Sequence, residues 1–144
     1  METVSFKTDK HTYAMHLMSI KTGVDFGFLV LTTIANTLGK NLEEAMPVVN
    51  QLMEGKDPKQ ALPFVMQILG SLDADKLENI SRKAFSGEVY VDDEKLSNGS
   101  VFEKHFSKNR GDYFPVLVWI VWNNVRPFLS DSGQTWAAVM QGQG

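Results

Sequence analysis

The chain has 144 residues, of which 43% are hydrophobic and 22% charged, a globular composition with room for one hydrophobic core rather than two. Its 14 basic and 17 acidic residues leave a formal charge of -3, and the signs are interspersed along the sequence, so no long-range field favours a polyanion and nucleic acid is not an expected partner. The absence of cysteine excludes disulfides, thiolate metal sites and thiol nucleophiles, and it fits a reducing cytosol.

Met-Glu-Thr-Val-Ser-Phe opens the sequence with an acid and no basic stretch, which does not read as a secretory signal. The densest apolar run, Phe114 to Trp122, falls well short of the roughly 20 residues that cross a bilayer, so no membrane partner is expected. In Val4 to Met18, Val4 and Phe6 alternate with polar neighbours, as do Tyr13, Met15 and Leu17 further on, and the polar Lys7-Thr8-Asp9-Lys10 between them predicts the turn of a β-hairpin. From Val24 to Leu38 the spacing of Phe28, Leu31, Ile34, Ala35 and Leu38 predicts a helix with one apolar stripe, capped by Gly39.

Ala45 to Met53 is then echoed by Ala61 to Leu69. Each copy follows a capping-box pair, Asn41 with Glu44 and Asp57 with Gln60, and Glu54-Gly55-Lys56 has the length of a helix–helix connection. An antiparallel pair of short helices is predicted. Pro47 and Pro63 fall inside these helices, where a proline removes a hydrogen bond and crowds the preceding turn. Either a short duplication is tolerated in a helical core, or the kinks shape a groove.

Ser71 and Asp73 introduce a further helix with Leu77, Ile80, Ala84 and Phe85 inward, ending near Gly87. Glu88 to Val91 reads as a short strand, and Asn98-Gly99 as the turn of a small hairpin or an ordered loop. The last helix is predicted from Asp112, as its cap, to Arg126, with Pro127 as the stop. Apolar residues from Val116 to Trp122 cover every side of it, which requires burial on most faces. The expected architecture is mainly α: one compact helical domain over residues 1–129 with a small N-terminal β-hairpin and a short strand near 88–92, followed by a flexible, glycine-rich tail over 130–144.

Motifs for chemistry are missing. His11, His16 and His105 form no ligand-spaced set, Asp92-Asp93-Glu94 lacks the spacing of a calcium loop, and the glycines near Val24 match neither phosphate nor dinucleotide fingerprints. With no nucleophile elbow either, the chain is not expected to be an enzyme, and neither a metal nor a cofactor is expected. Apolar and aromatic residues remain. Trp119 and Trp122 sit three apart and share a helix face, with Phe128 beyond them, so they either fill the core or anchor a partner.

Val101-Phe102-Glu103-Lys104-His105-Phe106, then Asp112-Tyr113-Phe114 and the helix to Asn123-Asn124-Val125-Arg126-Pro127-Phe128, resemble the pattern of small phage tail assembly chaperones. The early β segment, the helices rich in Leu, Ala and Pro, and the strand Val89-Tyr90-Val91-Asp92 are similar to that family too, so the resemblance spans residues 4 to 129. Glu103 stands where the pattern has aspartate, and Pro127-Phe128 where two aromatics are common. The resemblance implies a non-catalytic protein of the bacterial host cytoplasm, absent from the finished particle, that binds the helical tape measure protein until tail tube subunits assemble around it. It implies the short form of a product that is often also made in a frameshifted long form. The tail tube protein and a second copy of the chain are further candidate partners, and Trp119, Trp122 and Phe128 are the candidate contacts. A structural tail or connector component and a bacterial adaptor or regulatory module are the competing readings.

Overall fold

The computed structural model describes residues 3–41, 43–45, 47, 63, 67, 70–97 and 99–130, without the side chains of 128–130. Strands β1 (Thr3–Lys7) and β2 (Thr12–His16) form the expected hairpin, with Val4 opposite Met15 and Phe6 opposite Tyr13. Strand β3 (Val89–Val91) adds to β2, and β4 (Glu94–Lys95) adds to β3, giving an antiparallel sheet in the order β1-β2-β3-β4. Alternation puts Tyr13, Met15, Val89 and Val91 on one buried face. The β3–β4 connection is a two-residue turn in which Asp92 and Asp93 both have positive φ, 47° and 71°. Aspartate tolerates this left-handed geometry better than most residues, and it matches the strand twist of a tight hairpin.

Helix α1 (Ile20–Thr37) begins where the Ser19 hydroxyl accepts from the Thr22 N–H. It ends as Gly39 expects, in a left-handed residue with φ 67°. The Gly39 N–H donates to the Asn36 carbonyl and the Lys40 N–H to the Ala35 carbonyl, the paired bonds of a Schellman cap. The inward stripe differs in part from the expected one: Phe26, Val30, Leu31 and Ala35 are buried, while Phe28 is 38% exposed. The stripe therefore begins at Gly23 and Phe26, one residue out of phase with Phe28, and the bare Gly23 and Gly27 sit on its buried side.

The capping box at Asn41 is present, with the Asn41 N–H donating to Glu44 Oε1 and the Glu44 N–H to Asn41 Oδ1. Pro47 and Pro63 both occupy helical positions. The Asp57–Gln60 cap, the Glu54-Gly55-Lys56 connection and most of both copies lie outside the described residues, as does the tail beyond residue 130. Helix α2 (Ala74–Phe85) follows its Asp73 cap, which accepts from the Lys76 N–H, and buries Ile80, Ala84 and Phe85 as its spacing requires.

Gly99 opens a helix, α3 (Gly99–Lys108), rather than a hairpin turn or loop. The turn is made earlier, at Asp92-Asp93, and Val101, Phe102, His105 and Phe106 have the spacing of one helical face. The last helix, α4 (Tyr113–Ser130), starts after a 3-10 turn at Arg110–Asp112 and continues through Pro127 instead of stopping at Arg126. Pro127 lies in the last turn, where its missing N–H forfeits one bond to the Asn123 carbonyl, and the buried Val125 holds the backbone helical up to it. Asp112 turns its Oδ2 to Tyr13 and Thr8. Pro115, at the third helical position, offers no N–H for it to cap.

As its composition demands, α4 is buried all round from Val116 to Ile120 and packs on α1, α2 and the sheet. Asn124 is buried within it. Its Oδ1 accepts from the Met18 N–H and its Nδ2 donates to the Ile120 carbonyl, fastening the β2–α1 connection to the central helix.

Candidate functional site

Two openings flank the α3–α4 junction. The first, about 620 Å³, lies between α2 and α3, floored by Leu77, Phe85, Phe102 and Tyr113, with Glu78, Arg82 and Glu103 at its rim. Its floor belongs to an aromatic cluster in which the Phe85 and Phe102 rings meet edge to face at 5.0 Å and Phe106 meets Tyr113 at 5.5 Å. The Tyr113 hydroxyl donates to Ser81, which ties α4 to α2. The second opening, about 550 Å³, lies between the β1–β2 turn and the residues joining α3 to α4.

Behind the second opening is a polar network that sequence spacing did not reveal. His11 and His105 form no ligand-spaced set in the sequence, yet their rings lie 4.8 Å apart. Asn109 donates through Nδ2 to the His105 carbonyl, so its Oδ1 faces His11 Nε2 at 3.1 Å. Asp92 Oδ2 faces His11 Nδ1 at 2.6 Å, and its Oδ1 accepts from the Thr12 N–H. With an acceptor at each ring nitrogen, His11 is satisfied as an imidazolium. The Asp92 hydrogen bond accordingly raises the His11 pKa, and the same bond lowers that of Asp92.

Tyr13 is fully buried, and its hydroxyl donates to Asp112 Oδ2 at 2.7 Å. Its oxygen must then accept from His105 Nε2, also at 2.7 Å, which assigns neutral His105 the Nε2–H tautomer. Burial, followed by the charge of His11, pushes the His105 pKa below its ordinary value. Burial and Asp112 push the Tyr13 hydroxyl far above the usual phenol range. Thr8 also donates to Asp112, so the network clamps the β1–β2 turn onto the α3–α4 junction. Among the described residues, no group of three or more histidines and carboxylates is placed to hold a metal ion.

The tryptophans expected as partner contacts lie in the core. Trp119 is 3% exposed and stacks on Phe6 of β1 at 5.7 Å, and Trp122 is 5% exposed beneath the Arg126 guanidinium, 5.3 Å from its ring centre. The side chain of Phe128 lies outside the described residues.

A family model described as phage tail assembly chaperone protein, TAC, matches residues 9–135. The chain belongs to the phage tail assembly chaperone family. Searches of curated proteins and of solved structures returned no match. The family is non-catalytic, and the network of this chaperone is accordingly read as architecture. No helix among the described residues is long and apolar enough to cross a membrane.

The two histidines of the chaperone carry opposite pH dependences. His11 has a raised folded pKa, so its stabilisation is fully present below the unfolded value of 6.5 and is lost as pH rises through the folded value. His105 has a lowered folded pKa. The unfolded chain takes up its proton first, so stability falls as pH drops from 6.5 through the folded value. Melting temperatures measured from about pH 5 to about pH 8.5 should pass through a maximum near the ordinary histidine value. His11 keeps 22% of its side chain exposed, so solvent screening makes the alkaline limb the shallower one. His11→Asn should flatten that limb and His105→Asn the acid limb, and a monotonic wild-type profile would contradict the assignment.

Proposed function

We propose that the chain binds the tape measure protein in the host cytoplasm and keeps it soluble until tail tube subunits assemble around it. The family match over residues 9–135 carries this reading. The groove between α2 and α3 supports it, because an apolar floor with a charged rim suits a long helical client whose apolar stripe needs shielding. Trp119, Trp122 and Phe128 belong to the proposal as candidate contacts, and for the two tryptophans binding has to uncover the ring: Phe6 has to leave Trp119, and Arg126 has to leave Trp122. The tail tube protein and a second copy of the chain are the further partners that this reading admits.

Co-expression with the tape measure protein encoded in the same genome tests it. A complex that co-purifies and holds the client in the soluble fraction is the expected result. No complex, with the client equally soluble alone, would overturn the reading in favour of a virion component or an adaptor.

A further inference from the structure

The second opening gathers charge that the linear sequence scatters. Lys7 at the end of β1 and Lys10 in the β1–β2 turn line it from one side, and Lys108 at the end of α3 and Arg110 in the 3-10 turn from the other. All four are exposed, and among the described residues none has a carboxylate within ion-pair distance. Two carboxylates share the opening. Asp9 stands in the turn, and Asp112 is already the acceptor for the Tyr13 and Thr8 hydroxyls. The opening is therefore net positive on a chain whose formal charge is -3.

The segments that carry these cations are tied to each other by the hydrogen bonds of Thr8 to Asp112 and of His11 to Asn109. Four like charges around one opening repel one another, and an anionic partner relieves that repulsion. Phe6 and Pro115 give the opening an apolar wall. The groove between α2 and α3 lies across the same junction, with Tyr113 lining the groove and the preceding Asp112 the cleft.

We propose that this basic cleft binds an acidic segment of a partner protein, with Lys7, Lys10, Lys108 and Arg110 facing its carboxylates. The choice of a polypeptide over other polyanions rests on the chaperone reading. An amphipathic client lying across the junction would place its apolar stripe in the groove and its acidic flank in the cleft.

The probe is a fluorescein-labelled dodecapeptide, three repeats of Glu-Leu-Glu-Ala, titrated with the full chain and followed by anisotropy. Binding should weaken steeply from about 0.01 M to about 1 M salt, as the Debye length shrinks from roughly 30 Å to 3 Å. The Lys10→Glu/Arg110→Glu variant should bind roughly tenfold more weakly or worse, as expected for reversed rim charges. Lys40→Glu/Lys83→Glu, with the same change in net charge on other surfaces, should bind as the wild type does. Matching melting temperatures would show that both variants are folded. No wild-type binding, or equal loss in both variants, overturns the proposal. So does a twelve-nucleotide thymidine oligomer that binds more tightly than the peptide through the same residues, which would assign the cleft to nucleic acid. If the Lys10→Glu/Arg110→Glu variant still co-purifies with the tape measure protein while the wild type ignores the peptide, the cleft proposal fails and the chaperone reading stands.

Discussion

Trp119→Ala is expected to destabilise the chain by about 3–5 kcal/mol, the range for removing a large aromatic from a packed core. Trp119 is 3% exposed, and its ring is stacked on Phe6 with an interplanar angle of 23°. β1 is an edge strand paired to β2 alone among the described elements, so the loss extends beyond a cavity. Phe6 would lose the surface that holds this strand against α4. For a domain whose total stability is of the order of 5–15 kcal/mol, the change should be plain as a lowered urea midpoint. A shift of less than about 1 kcal/mol would mean that the indole does not fill the core. Trp119→Phe keeps a ring in the site and should cost far less, which makes it the variant to use with the client. If it folds normally but loses tape measure binding, the tryptophan makes a contact that its burial in the free chain conceals.

Local periodicity explains what could be read from the sequence. Val4, Phe6, Tyr13 and Met15 alternate, and alternation fixes both the hairpin and its inward face. Gly39, Asn41 and Asp73 mark helix ends because their conformations and side chains satisfy backbone groups within a few residues. The apolar circumference of α4 implied all-round burial without indicating which neighbours supply it. Packing overrides the weaker local signals: Gly99 resembles a turn residue but opens α3, and Pro127 resembles a stop but sits within the final turn.

The candidate site was far less legible. His11 and Asp92 are 81 positions apart, Tyr13 and Asp112 are 99 apart, and the cations of the basic cleft come from two distant segments of the chain. No local spacing encodes such encounters; they exist only once β3 joins β2 and α3 returns past the hairpin. The same holds for the groove, whose Leu77, Phe85 and Phe102 would each pass as ordinary core residues. Trp119 and Trp122 are ambiguous in the sequence because tryptophan is rich in apolar area, and that property fills a core as well as it anchors a partner.

Tyr13→Phe is expected to cost about 1–3 kcal/mol even though it removes a single oxygen, because buried polar groups would be left without a partner. The ring of Tyr13 is fully buried, and phenylalanine fills nearly the same volume, so little of the effect can come from a cavity. The deleted hydroxyl joins His105 Nε2 to Asp112 Oδ2. Without it the imidazole N–H has no acceptor there, and Thr8 becomes the remaining side-chain donor seen on Asp112. A double-mutant cycle with His105→Leu separates the two halves, since a shared hydrogen bond makes the paired loss smaller than the sum of the single losses. Additive losses would show that Tyr13 and His105 act independently. Because this node also clamps the β1–β2 turn to the α3–α4 junction, amide exchange in Tyr13→Phe should quicken first at residues 8–11 and 109–112. Uniform acceleration across α4 would place the effect in global unfolding, and the clamp would then have no separate role in holding the basic cleft.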